Sequence, residues 1–284
     1  MRIKRRYRVL LIVLASLVLM SALGVVYAHG EWWFPALHAM KRTVPPDLTP
    51  TAVALGEVQA LDALLNRENV TLSTCMMLVN TAHPLPDGYV PELVEYNGAK
   101  MHPSMLSPYT SLRDDVQAKT GVRIYVASDY RTAEEQASVI QGSAEGIAAP
   151  VGCSEHEAGL ALDVYAPYCD GIRFLRSRAG RTVNRVCSDY GFVLRYPKGK
   201  EDVTGIAYEP WHLRYVGQVH ARIMTESGLP LEEYVLLLTP NVWFASGDYL
   251  IARLSPDQLR LPTAFSHCEI SPDNTGYYIV TVKL

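Results

Sequence analysis

The sequence lacks several features that mark common protein classes. It has no basic excess: 26 Lys and Arg face 29 Asp and Glu, giving a formal net charge of −3. Nucleic-acid binding is therefore not expected, because proteins that follow a phosphate backbone usually carry a basic face. No pair of its five cysteines has Cys-x-x-Cys spacing, which argues against a zinc knuckle built from thiolates. With 284 residues, 49% of them hydrophobic, the chain has the size of one large or two small globular domains.

Charge is also missing from one long stretch at the N-terminus. Val9 to Ala28 runs for 20 residues without a charged side chain, directly after a basic cluster between Arg2 and Arg8. About 20 apolar residues suffice to cross a bilayer as a helix, and a basic flank stays on the cytoplasmic side. Residues 1–28 are therefore predicted to be a membrane anchor. The alternative is a signal peptide cut after Ala28. Both interpretations export the rest of the chain.

The remainder divides into three segments. Residues 29–70, with four prolines followed by apolar residues at helical spacing over 51–67, predict a membrane-proximal linker and a helix. Residues 71–228 alternate short β-like runs, including 76–79, with helical patterns, and this mixed order favours an α+β domain. Residues 229–284 hold short β-like runs separated by turn residues and predict a small β-rich C-terminal extension.

Local signals place several elements within the 71–228 domain. Helices are expected over 107–119 and 217–227, and strands over 122–126, 191–196 and 212–216. Thr132 followed by Glu135 is a capping box, which predicts a helix running to about Gln141. A loop rich in Gly, Ala and Ser should cover residues 142–152. Cys169 and Cys187 bracket a short segment and could form a disulfide in an exported protein; the alternative is that most of the cysteines are buried free thiols.

Two imidazoles and two carboxylates suggest a metal centre. His156, Asp163 and His212 offer the three protein ligands typical of a catalytic zinc site, which leaves a fourth position for water. Glu209, three residues before His212, is the candidate for moving the proton of that water. Each residue alone is weak evidence, because a single His or Asp is more often structural. The pattern Ser-x-His-x-x-Gly-x-Ala-x-Asp over 154–163, followed by Glu-x-x-His over 209–212, is more specific.

This pattern resembles that of the LAS zinc peptidases, in particular the VanY-type D-alanyl-D-alanine carboxypeptidases. Further stretches share the resemblance: Ser128 to Gln136, Gly191 to Pro197, Thr204-Gly205 and Glu209 to Gly217. The likeness covers about residues 76–228. It implies a LAS/Hedgehog-type α+β domain with a central antiparallel sheet flanked by helices. It also implies that His156, Asp163 and His212 hold one zinc ion and that Glu209 is the general base and acid.

The resemblance implies roles for three more residues. Arg131 would hydrogen-bond the substrate carbonyl and stabilise the oxyanion that develops there, a role suited to a cation in a dry site. Ser154 and Gln136 would help to hold the terminal carboxylate of the substrate. A surface salt bridge for Arg131, and turn or capping roles for Ser154 and Gln136, are the alternatives.

The function implied is that of a zinc-dependent D,D-carboxypeptidase that removes the terminal D-Ala from peptidoglycan stem pentapeptides outside the cytoplasmic membrane. Its partners would be stem peptides and, through the N-terminal segment, the cell membrane, and we expect a monomer. The alternatives are an L,D-carboxypeptidase acting on tetrapeptide stems and a peptidoglycan endopeptidase, because the same zinc site serves all three. A non-catalytic wall-binding module is disfavoured, because the three ligands and Glu209 are all present. The sequence leaves the role of 229–284 open.

Overall fold

The computed structural model describes residues 2–39, 43–142 and 148–284, and side chains in the first two helices over residues 13–35. The helices are α1 Arg2–Ala28, α2 Gly30–Ala39, α3 Leu61–Leu65, α4 Pro103–Thr120, α5 Ala133–Gly142, α6 Arg178–Val186, α7 Glu201–Thr204, α8 Gln218–Ser227 and α9 Leu231–Leu237. The strands are β1 Thr49–Pro50, β2 Val70–Leu72, β3 Val94–Tyr96, β4 Ala99–Met101, β5 Tyr125–Ser128, β6 Ala161–Tyr165, β7 Phe192–Leu194, β8 His212–Tyr215, β9 Trp243–Ser246, β10 Tyr249–Leu254, β11 His267–Pro272 and β12 Tyr278–Lys283. Of the predicted loop over 142–152, residues 143–147 lie outside the described part of the chain.

A four-stranded antiparallel sheet forms the centre of the first lobe. Its strand order is β5-β6-β8-β7. Apolar side chains of α4 and α6 pack with Leu162, Val164 and Leu213 of this sheet into one core. Because side chains alternate between the faces of a strand, Asp163 points away from that core. The predicted α+β fold, a central antiparallel sheet flanked by helices, is confirmed.

Local signals at helix ends explain where two of these helices begin and end. The Thr132 hydroxyl accepts a hydrogen bond from the Glu135 amide at 3.2 Å, and the Glu135 carboxylate accepts one from the Thr132 amide at 2.8 Å. This is the predicted capping box at the start of α5. Helix α4 ends at Gly121, whose φ of 74° is readily adopted only by glycine. Helix α5 stands beside the loop that carries the candidate site.

The second lobe, which is built around the C-terminal strands β9 to β12, differs from the small C-terminal extension predicted from the sequence. It is a six-stranded sheet in the order β1-β9-β10-β12-β11-β2, so residues 49–50 and 70–72 belong to the same sheet as the C-terminal strands. The linker interpretation of 29–70 is therefore corrected for this part, and the helix expected over 51–67 shortens to α3. The physical reason is that the edges of β9 and β11 offer unpaired backbone groups, which the two early strands satisfy.

The stretch 76–79 was expected to be a strand, and the structure shows a buried segment without strand pairing. A side chain, and not a neighbouring strand, satisfies the carbonyl oxygens of Met77 in this stretch and of Cys75 just before it. The Arg214 guanidinium donates to the carbonyl oxygens of Cys75 at 2.9 Å and Met77 at 2.7 Å. A buried carbonyl needs a donor but not necessarily a neighbouring strand, so the apolar pattern alone was misleading here.

The N-terminal helices lie next to the first lobe. Glu31 of α2 accepts a hydrogen bond from Arg176 at 2.7 Å, and Arg181 lies 4.6 Å from the Tyr27 ring centre and 5.9 Å from that of Trp33. Over the described residues, no helix has both the length and the hydropathy that a bilayer crossing requires.

The five cysteines all lie in the described part of the chain and all are free thiols. Cys75, Cys187 and Cys268 are buried in the cores. The suggested pairing of Cys169 with Cys187 is therefore not present, and buried cysteine acts here as a small apolar side chain.

Candidate metal centre and active site

The three predicted metal ligands converge at the two inner strands of the central sheet, at the end where β8 begins. Asp163 of β6 lies directly opposite His212 of β8 in the strand register, and His156 approaches from the loop before β6. The ligand atoms of the three residues all lie within 4.8 Å of one another. His156 and His212 are buried, whereas the Asp163 carboxylate is partly exposed. Asp163 follows His156 by seven positions, and Gly159 allows the chain to turn between them with φ of 70°.

Hydrogen bonds orient both imidazoles. The Nδ1 of His156 donates to the Asp129 carbonyl oxygen at 2.7 Å, which leaves Nε2 facing the centre. The Nδ1 of His212 lies 3.0 Å from Oδ1 of Asp163, and its Nε2 contacts Oε2 of Glu155 at 3.4 Å. A ring nitrogen held by an oxygen acceptor on the far side is the usual arrangement for a histidine that binds a metal.

These residues fit a zinc ion. Among the described residues, Nε2 of His156 is buried without a hydrogen-bond partner, and such an atom is costly unless a cation or ligand satisfies it. Burial would raise the pKa of Asp163, but His156 and His212 outweigh it and hold that pKa well below its usual range. An ionised carboxylate and two imidazoles form a donor set that suits zinc. Within the described part of the chain, they are also the only such group of potential ligands.

Glu209 lies beside the three ligands. Its Oε2 is 3.7 Å from Nδ1 of His212, and its amide donates to the Tyr196 carbonyl oxygen at 3.1 Å, which holds the segment before β8 in place. Burial raises the pKa of Glu209 to about 7, with Asp163 adding to the effect and His212 and Arg131 opposing it. A carboxyl group with a pKa near neutrality can both take and return a proton under physiological conditions.

Arg131 is held at the site by its backbone and its side chain. Its amide donates to the His156 carbonyl oxygen at 3.3 Å, and Nη1 donates to Oε1 of Gln136 at 2.7 Å. Burial lowers the pKa of Arg131, while Asp163, Glu157 and Glu209 counteract the shift, and the side chain remains a cation among acids. The Nε atom is buried without a hydrogen-bond partner in the described structure, so this guanidinium retains donor capacity.

The two residues predicted to hold a substrate carboxylate occupy different positions. Gln136 of α5 is buried, and its amide group is already engaged: it accepts from Arg131 and donates to the Ala149 carbonyl oxygen at 2.7 Å. Its position supports Arg131. The buried Ser154 hydroxyl contacts the His156 amide at 3.4 Å, next to the metal ligands. Substrate contact stays a prediction for both.

Sequence reasoning missed two neighbours of His212. Glu155, between Ser154 and His156 in the motif, is fully buried and contacts the His212 ring. The Tyr196 ring packs against the same imidazole with 4.8 Å between ring centres. The sequence offers one signal for Glu155: an acidic residue stands among small and apolar residues of the motif. If such a residue is buried, it requires a hydrogen-bonded or oppositely charged partner.

The arrangement suits hydrolysis of a peptide bond. When bound, zinc would supply a Lewis acid that polarises the scissile carbonyl and makes water more acidic. Glu209 can accept a proton from water at its carboxylate and pass it to the leaving amine. The Arg131 guanidinium, held by Gln136, can donate to the oxygen on which negative charge develops.

Comparison with known proteins points to one family. Residues 98–218 match the family model described as VanY, D-alanyl-D-alanine carboxypeptidase. Proteins named D-alanyl-D-alanine carboxypeptidase from Enterococcus faecalis and Enterococcus faecium are 34% and 42% identical over 177 and 172 residues, which is 56% and 58% of this chain. The bifunctional D-Ala-D-Ala dipeptidase and D-Ala-D-Ala carboxypeptidase VanXYC of Enterococcus gallinarum is 34% identical over 175 residues, which is 56% of this chain and 92% of the relative.

Solved structures agree with these matches. A D,D-pentapeptidase VanY variant in complex with Zn(II) is 35% identical, with a TM-score of 0.51 over 57% of this chain and 98% of the other. VanYB in complex with D-alanine-D-alanine is 33% identical, with a TM-score of 0.52 over 57% and 97% of the two chains. The LD-carboxypeptidase LdcB is 30% identical, with a TM-score of 0.50 over 55% and 83%.

The matched part of this chain spans 65% and 55% of the lengths of the E. faecalis and E. faecium relatives, but nearly the whole of VanXYC. The likeness therefore concerns the domain that carries the metal centre. From the family match, the coverage of VanXYC and the likeness to solved VanY structures, it follows that the chain belongs to the VanY D-alanyl-D-alanine carboxypeptidase family.

Proposed function

We propose that this protein is a zinc-dependent D,D-carboxypeptidase that removes the terminal D-Ala from peptidoglycan stem pentapeptides. The observation that carries the proposal is the convergence of His156, Asp163 and His212 with Glu209 beside them. A family relative was solved with D-alanine-D-alanine bound and another with Zn(II), which supports both the substrate class and the metal.

The proposal assigns one role to each site residue. His156, Asp163 and His212 hold the zinc ion. Glu209 transfers the proton, and its pKa near 7 suits that task. Arg131 binds the substrate carbonyl and stabilises the developing oxyanion, supported by its position among three acids at the centre. Ser154 and Gln136 help to bind the peptide in the same proposal. Gln136 also holds the Arg131 guanidinium through a hydrogen bond.

We further infer an extracytoplasmic location, because peptidoglycan stem peptides are matured outside the cytoplasmic membrane. The support in this chain is the basic cluster followed by 20 uncharged residues from Val9 to Ala28. An uncleaved anchor and a cleaved signal peptide predict the same compartment. Immunoblotting of membrane and medium fractions distinguishes the two. An uncleaved anchor keeps the protein in the membrane fraction, whereas a protein cleaved after Ala28 is released into the medium.

A second candidate function is L,D-carboxypeptidase activity on tetrapeptide stems. The likeness to LdcB, which is named an LD-carboxypeptidase, favours it. The metal centre does not discriminate, because specificity for the residue before the scissile bond comes from the surrounding pocket.

The test uses the full-length protein purified in detergent and loaded with zinc. It is incubated separately with a stem pentapeptide and a stem tetrapeptide, and the products are followed by mass spectrometry. Loss of one D-Ala from the pentapeptide alone supports the D,D proposal, and loss from the tetrapeptide alone refutes it in favour of the L,D candidate. A chelator should abolish the activity and zinc should restore it. Cleavage within a stem and not at its end would indicate an endopeptidase.

A further inference from the structure

A buried network of charges lies directly behind the metal centre. The Glu155 carboxylate is fully buried and accepts hydrogen bonds from Nε of Arg195 at 2.6 Å and Nη1 of Arg214 at 2.8 Å. Its other oxygen faces Nε2 of His212 at 3.4 Å. Both arginine side chains are also buried. Charged groups removed from water cost free energy unless they are paired in good geometry, and in this cluster each charge faces a partner of opposite sign.

The contact with Glu155 goes together with one orientation of the His212 ring. With Nε2 directed at Glu155, Nδ1 is the atom that lies 3.0 Å from Asp163. A carboxylate that accepts the far N–H of a metal-binding histidine holds the ring orientation and makes the ligating nitrogen more basic. The guanidinium groups of Arg195 and Arg214 pair the charge of Glu155 from the side away from His212.

The network continues into the second lobe. Arg195 donates from Nη1 and Nη2 to the two carboxylate oxygens of Glu232 on α9, at 2.9 Å and 2.6 Å. Glu232 also accepts from Nδ2 of Asn80 at 3.1 Å. Two buried arginines outnumber Glu155, and Glu232 supplies the second negative charge that balances them. Helix α9 packs in a core with Phe244, Ile251 and Ile279 of the six-stranded sheet, which ties this charge to the C-terminal strands.

We propose that Glu155 is a positioning residue for the metal ligand His212, and that the C-terminal region supports it through the chain Glu232–Arg195–Glu155. This gives residues after 228 a role in metal affinity, distinct from binding wall polymer. The inference rests on the proposed assignment of His156, Asp163 and His212 as zinc ligands. It does not depend on which peptide is the substrate.

The experiment measures the zinc affinity of the full-length protein by competition with a chromophoric chelator, without substrate. Glu155→Gln should lower the affinity by about 10–100-fold, the range found when the partners of metal ligands are changed. Glu232→Gln, farther from the metal, should lower it at the low end of that range, about tenfold. The matched control is Glu233→Gln, because Glu233 is the next residue of α9 and pairs only at the surface with Lys200 at 2.7 Å. The control should bind zinc as the wild type does.

A second readout identifies the nitrogen of His212 that binds the metal. In the zinc-loaded wild type, ¹⁵N histidine spectra should show His212 with Nδ1 bound to the metal and Nε2 protonated. Wild-type affinity in both Glu155→Gln and Glu232→Gln, or a metal-bound Nε2 on His212, overturns the inference. If Glu155→Gln does not fold, the comparison of Glu232→Gln with Glu233→Gln decides alone: equal affinities refute the proposal.

The outcomes also distinguish this inference from the proposed function. If both network substitutions lower the zinc affinity but the wild type cleaves neither stem peptide, the positioning role is supported and the proposed activity is refuted. Active variants with unchanged zinc affinity support the activity and refute the positioning role.

Discussion

Replacing Glu209 by glutamine tests both halves of its assigned role, because the amide keeps the shape of the side chain and removes the ionisable group. Glu209 is largely buried at the site, and Oε2 lies 3.7 Å from Nδ1 of His212. The three ligand residues are unchanged in this variant, so zinc should still bind. What is lost is the group that accepts and returns a proton.

The expected magnitudes follow from the chemistry and from the pKa. Loss of a positioned proton-transfer group costs about 10²–10⁴-fold in kcat, or about 3–5 kcal/mol. Burial raises the Glu209 pKa from 4.5 to about 7, so ionisation above pH 4.5 disfavours the folded metal-free protein. The stability conferred by the protonated form is complete below pH 4.5 and lost as the pH rises through 7. At 1.36 kcal/mol per pKa unit, the loss approaches about 3 kcal/mol.

Glu209→Gln should therefore lose about 10²–10⁴-fold in kcat and, in its metal-free form at pH 8, be more stable than the wild type by up to about 3 kcal/mol. The two proteins should converge near pH 4.5. Urea unfolding at several pH values after chelator treatment measures the stability, mass spectrometry of released D-Ala measures turnover, and metal analysis measures bound zinc. The exposed Glu57→Gln is the control and should change none of the three. Near-normal turnover in Glu209→Gln, or a stability difference independent of pH, would refute the reasoning.

Three further predictions concern Arg131, His156 and His220. Arg131→Met should lower kcat by about 10²–10³-fold with zinc retained, because one oxyanion donor is lost; steady-state kinetics showing only a raised KM would contradict this. His156→Ala should abolish stoichiometric zinc binding in metal analysis, and full zinc occupancy would remove it from the ligand set. Burial lowers the pKa of His220 from 6.5 to about 4, so its contribution to stability is present above pH 6.5 and is lost as the pH falls through 4, by about 3 kcal/mol. The free energy of unfolding of His220→Gln, measured in urea, should therefore depend less on pH between 6.5 and 4 than that of the wild type. An identical pH dependence in the two proteins would refute the lowered pKa of His220.

The candidate site was largely predictable because its residues lie in short continuous motifs. Two ligands fall within 154–163, and the third follows Glu209 by three residues. Within each motif, a single turn or the start of one strand is enough to bring the side chains close together. The capping box of α5 was predictable for the same reason, since both of its hydrogen bonds join residues three apart. Joining the two motifs into one centre requires the β6–β8 pairing: the family resemblance implied the ligand set, and the structure shows the pairing.

The sequence by itself determined the α+β class, the proposed metal ligands and the helices with clear caps, because these depend on contacts between near neighbours along the chain. Only the tertiary structure decided that residues 49–50 and 70–72 complete the sheet formed by the C-terminal strands, and that Glu155 links His212 through Arg195 to Glu232. Strand edges pair with whichever distant segment presents matching backbone groups. A buried charge finds its counter-charge across the fold, and neither choice leaves a local pattern in the sequence.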